Sequence, residues 1–335
     1  MSGAVRTWLA KLVPLLLIGG SFQPVSLAGP TTGSLTAGVD AEQTGPLYAI
    51  PTLRDRVGRI VAAVMINGRG PFRFMLDTGS NRTVLAQSVL AKLSLAADPD
   101  ASISVVGVTG SQIAASVHID SLDAGDMHFR DVDLAVLSGP VLYGLDGILG
   151  MEGFDGLKVS ADFVRNLVSI SKSRGRPAAA QYAAIPVRFL SDRLLMIDAL
   201  VGRLHVKAII DTGSQRTLAN GALLAALSGG RRDVPPTSPA SVIDATQSLQ
   251  PGLTGRVPAI RLGETTIQNL DVTFGDFQIF RTWGLENEPA LLIGMDALGT
   301  LADLDIDYQR KEVDMLSRTA PHPLLEIMGL SPTSW

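Results

Sequence analysis

Apolar and polar positions along this chain form short strand-like runs between glycine-rich turns, and helical spacing is rare and brief. Arg59 to Ile66 (RIVAAVMI) reads as a strand, Asn67-Gly68 as a hairpin turn, and Phe72 to Leu76 as the returning strand, which ends at Asp77. The second half repeats the arrangement: Leu195 to Val201 and Leu204 to Ile210 flank Gly202-Arg203, and the second strand ends at Asp211. Helical patterns are expected only over Leu85 to Leu93, over Leu218 to Leu227, and for a turn or two after Gly150 and Gly294. The prediction is a mainly all-β chain.

The two halves are an internal repeat. Phe74-Met75-Leu76-Asp77-Thr78-Gly79-Ser80 followed by Asn81-Arg82-Thr83-Val84-Leu85 matches Ala208-Ile209-Ile210-Asp211-Thr212-Gly213-Ser214 followed by Gln215-Arg216-Thr217-Leu218, 134 residues later. Gly147-Ile148-Leu149-Gly150-Met151-Glu152 matches Leu291-Leu292-Ile293-Gly294-Met295-Asp296 at a spacing of 144. A polar stretch from Ser228 to Ser241, read as a loop insertion, accounts for the ten extra residues. Each half closes with a strand-like run carrying an acidic residue, Asp162 to Ile170 and Asp307 to Met315.

The domain reading follows. Residues 1–28 carry Arg6 and Lys11, the apolar run Leu12 to Ile18 and the small residues of Ser26-Leu27-Ala28, the three-part pattern of a cleaved secretory signal. The apolar run is too short to span a bilayer. The expectation is export, to the periplasm or beyond, after cleavage near Ala28. Residues 29–46 read as a flexible segment, 47–172 as an N-terminal lobe, 173–184 as a linker, 185–317 as a C-terminal lobe and 318–335 as a tail. The 335 residues suffice for two such lobes, and 46% hydrophobic against 18% charged residues provides their cores.

Composition removes several chemistries. Net charge is −4 with no long basic run, which argues against nucleic acid as a partner. The chain has no cysteine, so disulfides, thiol nucleophiles and zinc-thiolate sites are out. His118, His128, His205 and His322 lack metal-ligand spacing, and no Gly-x-Ser-x-Gly elbow or phosphate loop occurs. The alternating Asp303, Asp305 and Asp307 lack the glycine and closing glutamate of a calcium loop and read as one solvent-facing side of a strand. Neither metal nor cofactor is expected. Asn81-Arg82-Thr83 has the form of a glycosylation sequon, but a glycan there would obstruct the loop beside it.

What remains is Asp-Thr-Gly-Ser, twice, at the end of an apolar strand. Strands disfavour Asp, and a carboxylate in such a place must be hydrogen-bonded or desolvated. Gly79 and Gly213 allow a sharp turn with backbone N–H groups near the carboxylate. Thr78 and Thr212 can bond across to the opposite half, and Ser80 and Ser214 can donate to the outer carboxylate oxygens. Two facing loops would set two carboxyls side by side with one proton between them.

These residues resemble the pepsin/retropepsin superfamily, and more closely its bacterial retropepsin-like members: an Asn-Gly hairpin, Phe-x-Leu-Asp-Thr-Gly-Ser, then Ile/Leu-Leu-Gly-Met-Asp/Glu. The resemblance spans roughly Leu47 to Ser317. It implies two β-barrel lobes with a cleft between them, Asp77 and Asp211 as the catalytic pair of an aspartic endopeptidase, and Gly150 and Gly294 as braces of the catalytic loops. It implies an extended polypeptide as substrate, no cofactor, and a monomer with an internal pseudo-twofold. It also implies hairpin flaps. The candidates are Val105 to Gln112, with Gly107, Val108, Thr109 and Gly110 at its tip, and Val242 to Gln247, neither with the tyrosine of pepsin-like flaps. The alternative function is an inactive module of the cell envelope that binds extended peptides.

Overall fold

A computed structural model describes residues 9–11, 59–139, 142, 144–190, 194–229 and 237–318. The leader-like segment apart from 9–11, the whole of 29–46, the start of the first lobe and nearly all of the tail lie outside the described residues. Strand Leu9–Lys11 pairs in parallel with Asp98–Val106.

Each half folds around the same unit, and the sequence dictates how. Asn67 and Gly68 both take positive φ, 49° and 69°, which folds Val61–Ile66 back on Arg69–Leu76 in a tight turn. Asn67 fits because its side-chain oxygen also accepts the Ser121 N–H at 2.9 Å. The second half pairs Leu194–Val201 with Leu204–Ile210 about Gly202, φ 60°. Arg69–Leu76 then takes a parallel partner from far along the chain, with Phe74, Met75 and Leu76 opposite Gly147, Ile148 and Leu149. Leu204–Ile210 does the same with Ala290–Ile293. Both inserted strands are wholly buried, and so their sequences are continuously apolar. A short strand after each aspartate loop, Val84–Ala86 or Leu218–Ala219, closes the unit by pairing antiparallel with the same inserted strand.

The two halves share a third sheet of five strands, in the order Leu167–Lys172, Leu157–Asp162, Leu301–Asp307, Glu312–Ser317, Ala183–Pro186. Its central pair crosses from one half to the other, with Asp303 opposite Asp162 and Ile306 opposite Val159. Several expectations change here. The runs Asp162 to Ile170 and Asp307 to Met315 are not single strands but straddle hairpin turns, with Asn166 and Lys311 at φ 54° and 55°. The expected linker already enters this sheet at Ala183. Asp303, Asp305 and Asp307 do not line a solvent face. Asp305 and Asp307 are buried, the first against Lys158 Nζ at 2.6 Å and the second accepting from Ser173 Oγ at 2.7 Å. Alternation alone could not show that this strand is covered on both faces.

Three helices fall within their expected places, Gln87–Leu93, Gly221–Ser228 capped by Asn220, and a single turn Met295–Leu298 after Gly294, whereas the stretch after Gly150 forms turns and no helix, and helix Gln278–Thr282 was not expected. Part of the expected insertion is strand, because Thr237–Ile243 pairs with Leu249–Arg256 in a long hairpin. It corresponds to the first-half hairpin of Asp98–Val106 and Ser111–Ala124. Among the described residues no helix is long and apolar enough to cross a membrane.

Candidate active site

The apolar strands carry Asp77 and Asp211 to the middle of the molecule, where both are fully buried. Each backbone N–H is fixed by the inserted parallel strand: Asp77 N donates to Leu149 O and Asp211 N to Ile293 O, both at 3.0 Å. Each loop then turns its amides onto its own carboxylate. Gly79 N donates to Asp77 Oδ1 at 2.9 Å, while Gly213 N and Ser214 N donate to Asp211 Oδ1 at 2.8 and 3.1 Å. Gly213 has a second constraint, since a Cβ there would lie 2.3 Å from Asp77 Cγ. The carboxyl of one half rests directly on the glycine of the other.

The loops are locked together by a reciprocal set of hydrogen bonds. Thr78 Oγ1 donates to Ile210 O at 2.8 Å and accepts from Thr212 N at 3.0 Å. Thr212 Oγ1 donates to Leu76 O at 2.7 Å and accepts from Thr78 N at 3.1 Å. Both hydroxyls are thus saturated across the pseudo-twofold, the role expected of them. Ser80 and Ser214 behave differently from expectation. Their hydroxyls donate within their own loops, to Arg82 O at 2.8 Å and Arg216 O at 2.7 Å, and do not reach the carboxylates. Tight loop curvature brings those carbonyls nearer than the carboxylate oxygens.

Gly150 and Gly294 stand where braces were expected. A Cβ on Gly150 would meet the Arg82 backbone carbon at 2.4 Å, and one on Gly294 the Arg216 carbonyl oxygen at 2.5 Å. Their amides donate to Thr83 Oγ1 and Thr217 Oγ1, each at 3.2 Å. Sequence reasoning missed the acids that follow. Glu152 Oε1 accepts the Thr83 N–H, while Asp296 accepts Thr217 N at 3.0 Å and Thr217 Oγ1 at 2.7 Å. The signal was present, because Thr83 and Thr217, like Glu152 and Asp296, occupy equivalent places in the repeat. Burial raises the pKa of both acids against the opposing pull of these hydrogen bonds. The sequon threonine is therefore a loop brace, 2% exposed.

The two carboxyls come together at the junction of the loops, where the Asp77 carboxyl packs on Gly213 beside Asp211, close enough for each to shift the pKa of the other. Among the described residues neither Oδ2 has a hydrogen-bond partner. Burial pushes the Asp77 carboxyl well up, and the neighbouring Asp211 carboxyl pushes it further. Burial also raises Asp211, to about 7, against the lowering effect of Asp77 and of the hydrogen bonds from Gly213 and Ser214. Two carboxyls in contact cannot both ionise, so the pair holds one proton, a rule for which the aspartic-protease dyad is itself the established example. Such a pair can accept a proton on one oxygen and donate one from another.

The candidate flap tips, Gly107 to Gly110 and Asp244 to Ser248, lie at the ends of the two corresponding hairpins and touch each other. The sequence profile of a family described as aspartyl protease matches residues 62–152 and 197–297, together more than half of the chain. No curated protein matches. Among solved structures, the chain resembles an aspartic proteinase from Irpex lacteus, with 14% identity over 80% of this chain and 96% of that one, at a TM-score of 0.49.

Proposed function

Because the chain belongs to the aspartyl protease family, we propose that it is an active aspartic endopeptidase in which Asp77 and Asp211 are the catalytic residues. The observation that carries this reading is the juxtaposition of two fully buried aspartates, the Asp77 carboxyl lying directly on Gly213 of the Asp211 loop. An inactive peptide-binding module has no need of two desolvated carboxyls side by side.

Water positioned between the carboxyls loses a proton to the ionised member as it attacks the scissile carbonyl carbon. The protonated member hydrogen-bonds the carbonyl oxygen and gives up its proton as the tetrahedral diol forms. The proton gained from water then passes to the departing amine nitrogen, the C–N bond breaks as one diol hydroxyl returns its proton to the other carboxylate and becomes the product carboxyl C=O, and the dyad is singly protonated again. No covalent intermediate forms. The threonine lock keeps the two carboxyls in register, which matters because small errors in the placement of reacting groups are costly in rate.

The substrate in this proposal is an extended polypeptide bound by backbone hydrogen bonds to the hairpin flaps. The apolar segments that lead into the two catalytic loops favour apolar side chains beside the scissile bond. The leader-like residues 1–28 add an exported location to the reading.

The test is incubation of residues 29–335 with an unfolded protein between pH 3 and 8, alongside Asp77→Asn, Asp211→Asn and a statine-type diol mimic. Loss of cleavage in both variants and inhibition by the mimic are expected. A folded parent protein that cuts nothing at any pH would return the reading to the peptide-binding module.

A further inference from the structure

The two aspartate loops follow the pseudo-twofold in their supports but not in how they hold their own carboxylates. Met151 N donates to Ser80 O at 2.8 Å and Met295 N to Ser214 O at 2.7 Å, so each loop is held from behind by the residue after its brace glycine. In the second loop Ser214 N then joins Gly213 N on Asp211 Oδ1. In the first loop Ser80 N turns to the Asp77 main-chain oxygen at 3.1 Å, and its pull on the carboxylate is the smallest of the influences there. Gly79 N is the main donor to Asp77 Oδ1.

A second asymmetry lies behind the first loop. The runs that begin Asp162-Phe163 and Asp307-Tyr308 are equivalent in the repeat, and their backbones behave alike: Phe163 N donates to Ala302 O at 2.9 Å and Tyr308 N to Leu157 O at 3.0 Å. The two side chains differ by one hydroxyl. That of Tyr308, a second-half residue, is directed at Met151 Sδ of the first half, 2.6 Å away. The ring is stacked on Phe189, 5.8 Å between centroids and 7° between planes, and tilted against Phe154 at 5.5 Å. Tyr308 and Met151 are both buried. A thioether accepts only weakly, so the hydroxyl contributes direction more than energy. The aromatic contacts hold the ring in place. Phe163, with no hydroxyl, cannot supply such a contact in the other half.

We propose that Tyr308 is a positioning residue for Asp77: its hydroxyl reaches across from the second half to hold Met151, and through Met151 the Ser80 peptide, so that the Ser80 N–H stays on the Asp77 main-chain oxygen. This rests on the reading of Asp77 and Asp211 as the catalytic pair. The chemistry needs two unequal carboxyls, one ionised to take the proton of water and one protonated to hold the carbonyl oxygen. Asp211, with two backbone donors on one oxygen, suits the ionised role, and Asp77, with one main donor, keeps the proton. Without the hydroxyl Met151 is free to repack and Ser80 to rotate into the arrangement of Ser214, which brings a second N–H onto Asp77 Oδ1 and makes the pair more nearly equal. Asp211 is the charged group that acts on Asp77, and Arg82 and Glu152 stand behind the loop; the test leaves all three in place.

Tyr308→Phe removes the hydroxyl, keeps the stacked ring and copies the residue found at 163. A backbone donor lowers a carboxylate by roughly one pH unit, so Asp77 should release its proton about 0.5–1 unit lower in this variant. In kcat/KM profiles measured on an unfolded protein from pH 5 to 10, the alkaline limb should move down by that amount, with kcat reduced several-fold and KM little changed. Met151→Leu, which keeps the bulk but not the sulfur, should give the same shift, and the double variant no more than either alone. Shifts that add in the double variant, or a fall in activity with the alkaline limb unmoved, would make Tyr308 a packing residue and overturn the proposal.

A second measurement needs no turnover, so it separates failure of this proposal from failure of the protease reading. Carbon-13 NMR of the aspartate carboxyls, with the signals of the pair assigned from Asp77→Asn and Asp211→Asn, follows the Asp77 titration directly. In Tyr308→Phe its midpoint should fall while the thermal midpoint stays within about 3 °C of the parent. An unmoved Asp77 titration in folded Tyr308→Phe, or in Met151→Leu if the first variant unfolds, would refute the role whether or not the protein cuts anything.

Discussion

Asp303→Asn should stabilise the protein at neutral pH and leave its stability in acid unchanged. Asp303 sits in the sheet shared by the two halves, directly opposite Asp162 and two residues from Asp305. Burial pushes its carboxyl up to about 7 from an ordinary 3.8, the charges on Asp305 and Asp162 push in the same direction, and Lys158 and Tyr182 oppose them. The folded state therefore holds a proton that the unfolded chain releases, so stability falls as pH rises from about 4 to about 7 and levels off above. A gap of about 3 pH units corresponds to about 4 kcal/mol at most. Partial contact of the group with water halves this to about 2 kcal/mol. Asn keeps the shape and the capacity to accept from Tyr182 but never ionises. Urea unfolding at pH 4.5 and 7.5 measures the effect: a gain of about 2 kcal/mol at pH 7.5 and little change at pH 4.5. The same change at both pH values, or a loss at pH 7.5, would refute the assignment of this carboxyl as a charge held neutral by the sheet.

Within the pair Asp211 ionises first, at about 7, while Asp77, pushed higher by burial and by that charge, keeps the shared proton; proteolysis should therefore rise as pH approaches 7 and fall only at higher pH as Asp77 ionises, and a kcat/KM profile that already falls between pH 5 and 7 would contradict this. Thr212→Val removes the donor to Leu76 O and the acceptor for Thr78 N in a site closed to water. Two stranded backbone groups predict a loss of about 2–4 kcal/mol in chemical denaturation, with a fall in kcat larger than any change in KM. Gly294→Ala should abolish activity and lower the thermal midpoint, since its methyl would stand 2.5 Å from a backbone oxygen that cannot move without displacing the Asp211 loop. Gly284→Ala serves as the comparison, because its Cβ meets nothing within 4 Å although its positive φ carries a modest strain.

The sequence by itself determined whatever is local or repeated. The Asn67-Gly68 turn follows from two residues that tolerate positive φ. The inserted strands follow from continuous apolar runs, and the positions of Asp77 and Asp211 from Asp-Thr-Gly-Ser at two strand ends. The repeat made Gly150 and Gly294 legible as braces, and it held the unread clue to Glu152 and Asp296. Tertiary structure decided everything that depends on which groups meet. Ser80 and Ser214 had carboxylate and carbonyl acceptors equally open to them in sequence, and only loop curvature selected the carbonyls. Asp303, Asp305 and Asp307 alternate like a solvated face, yet the sheet shared by the two halves buries Asp305 and Asp307 and half-buries Asp303. The shared proton and the contact between the hairpin tips arise from residues more than 130 positions apart. Periodicity and turn chemistry act over a few residues, whereas desolvation and hydrogen-bond partnership are set by whatever packs alongside, and only the folded chain specifies that.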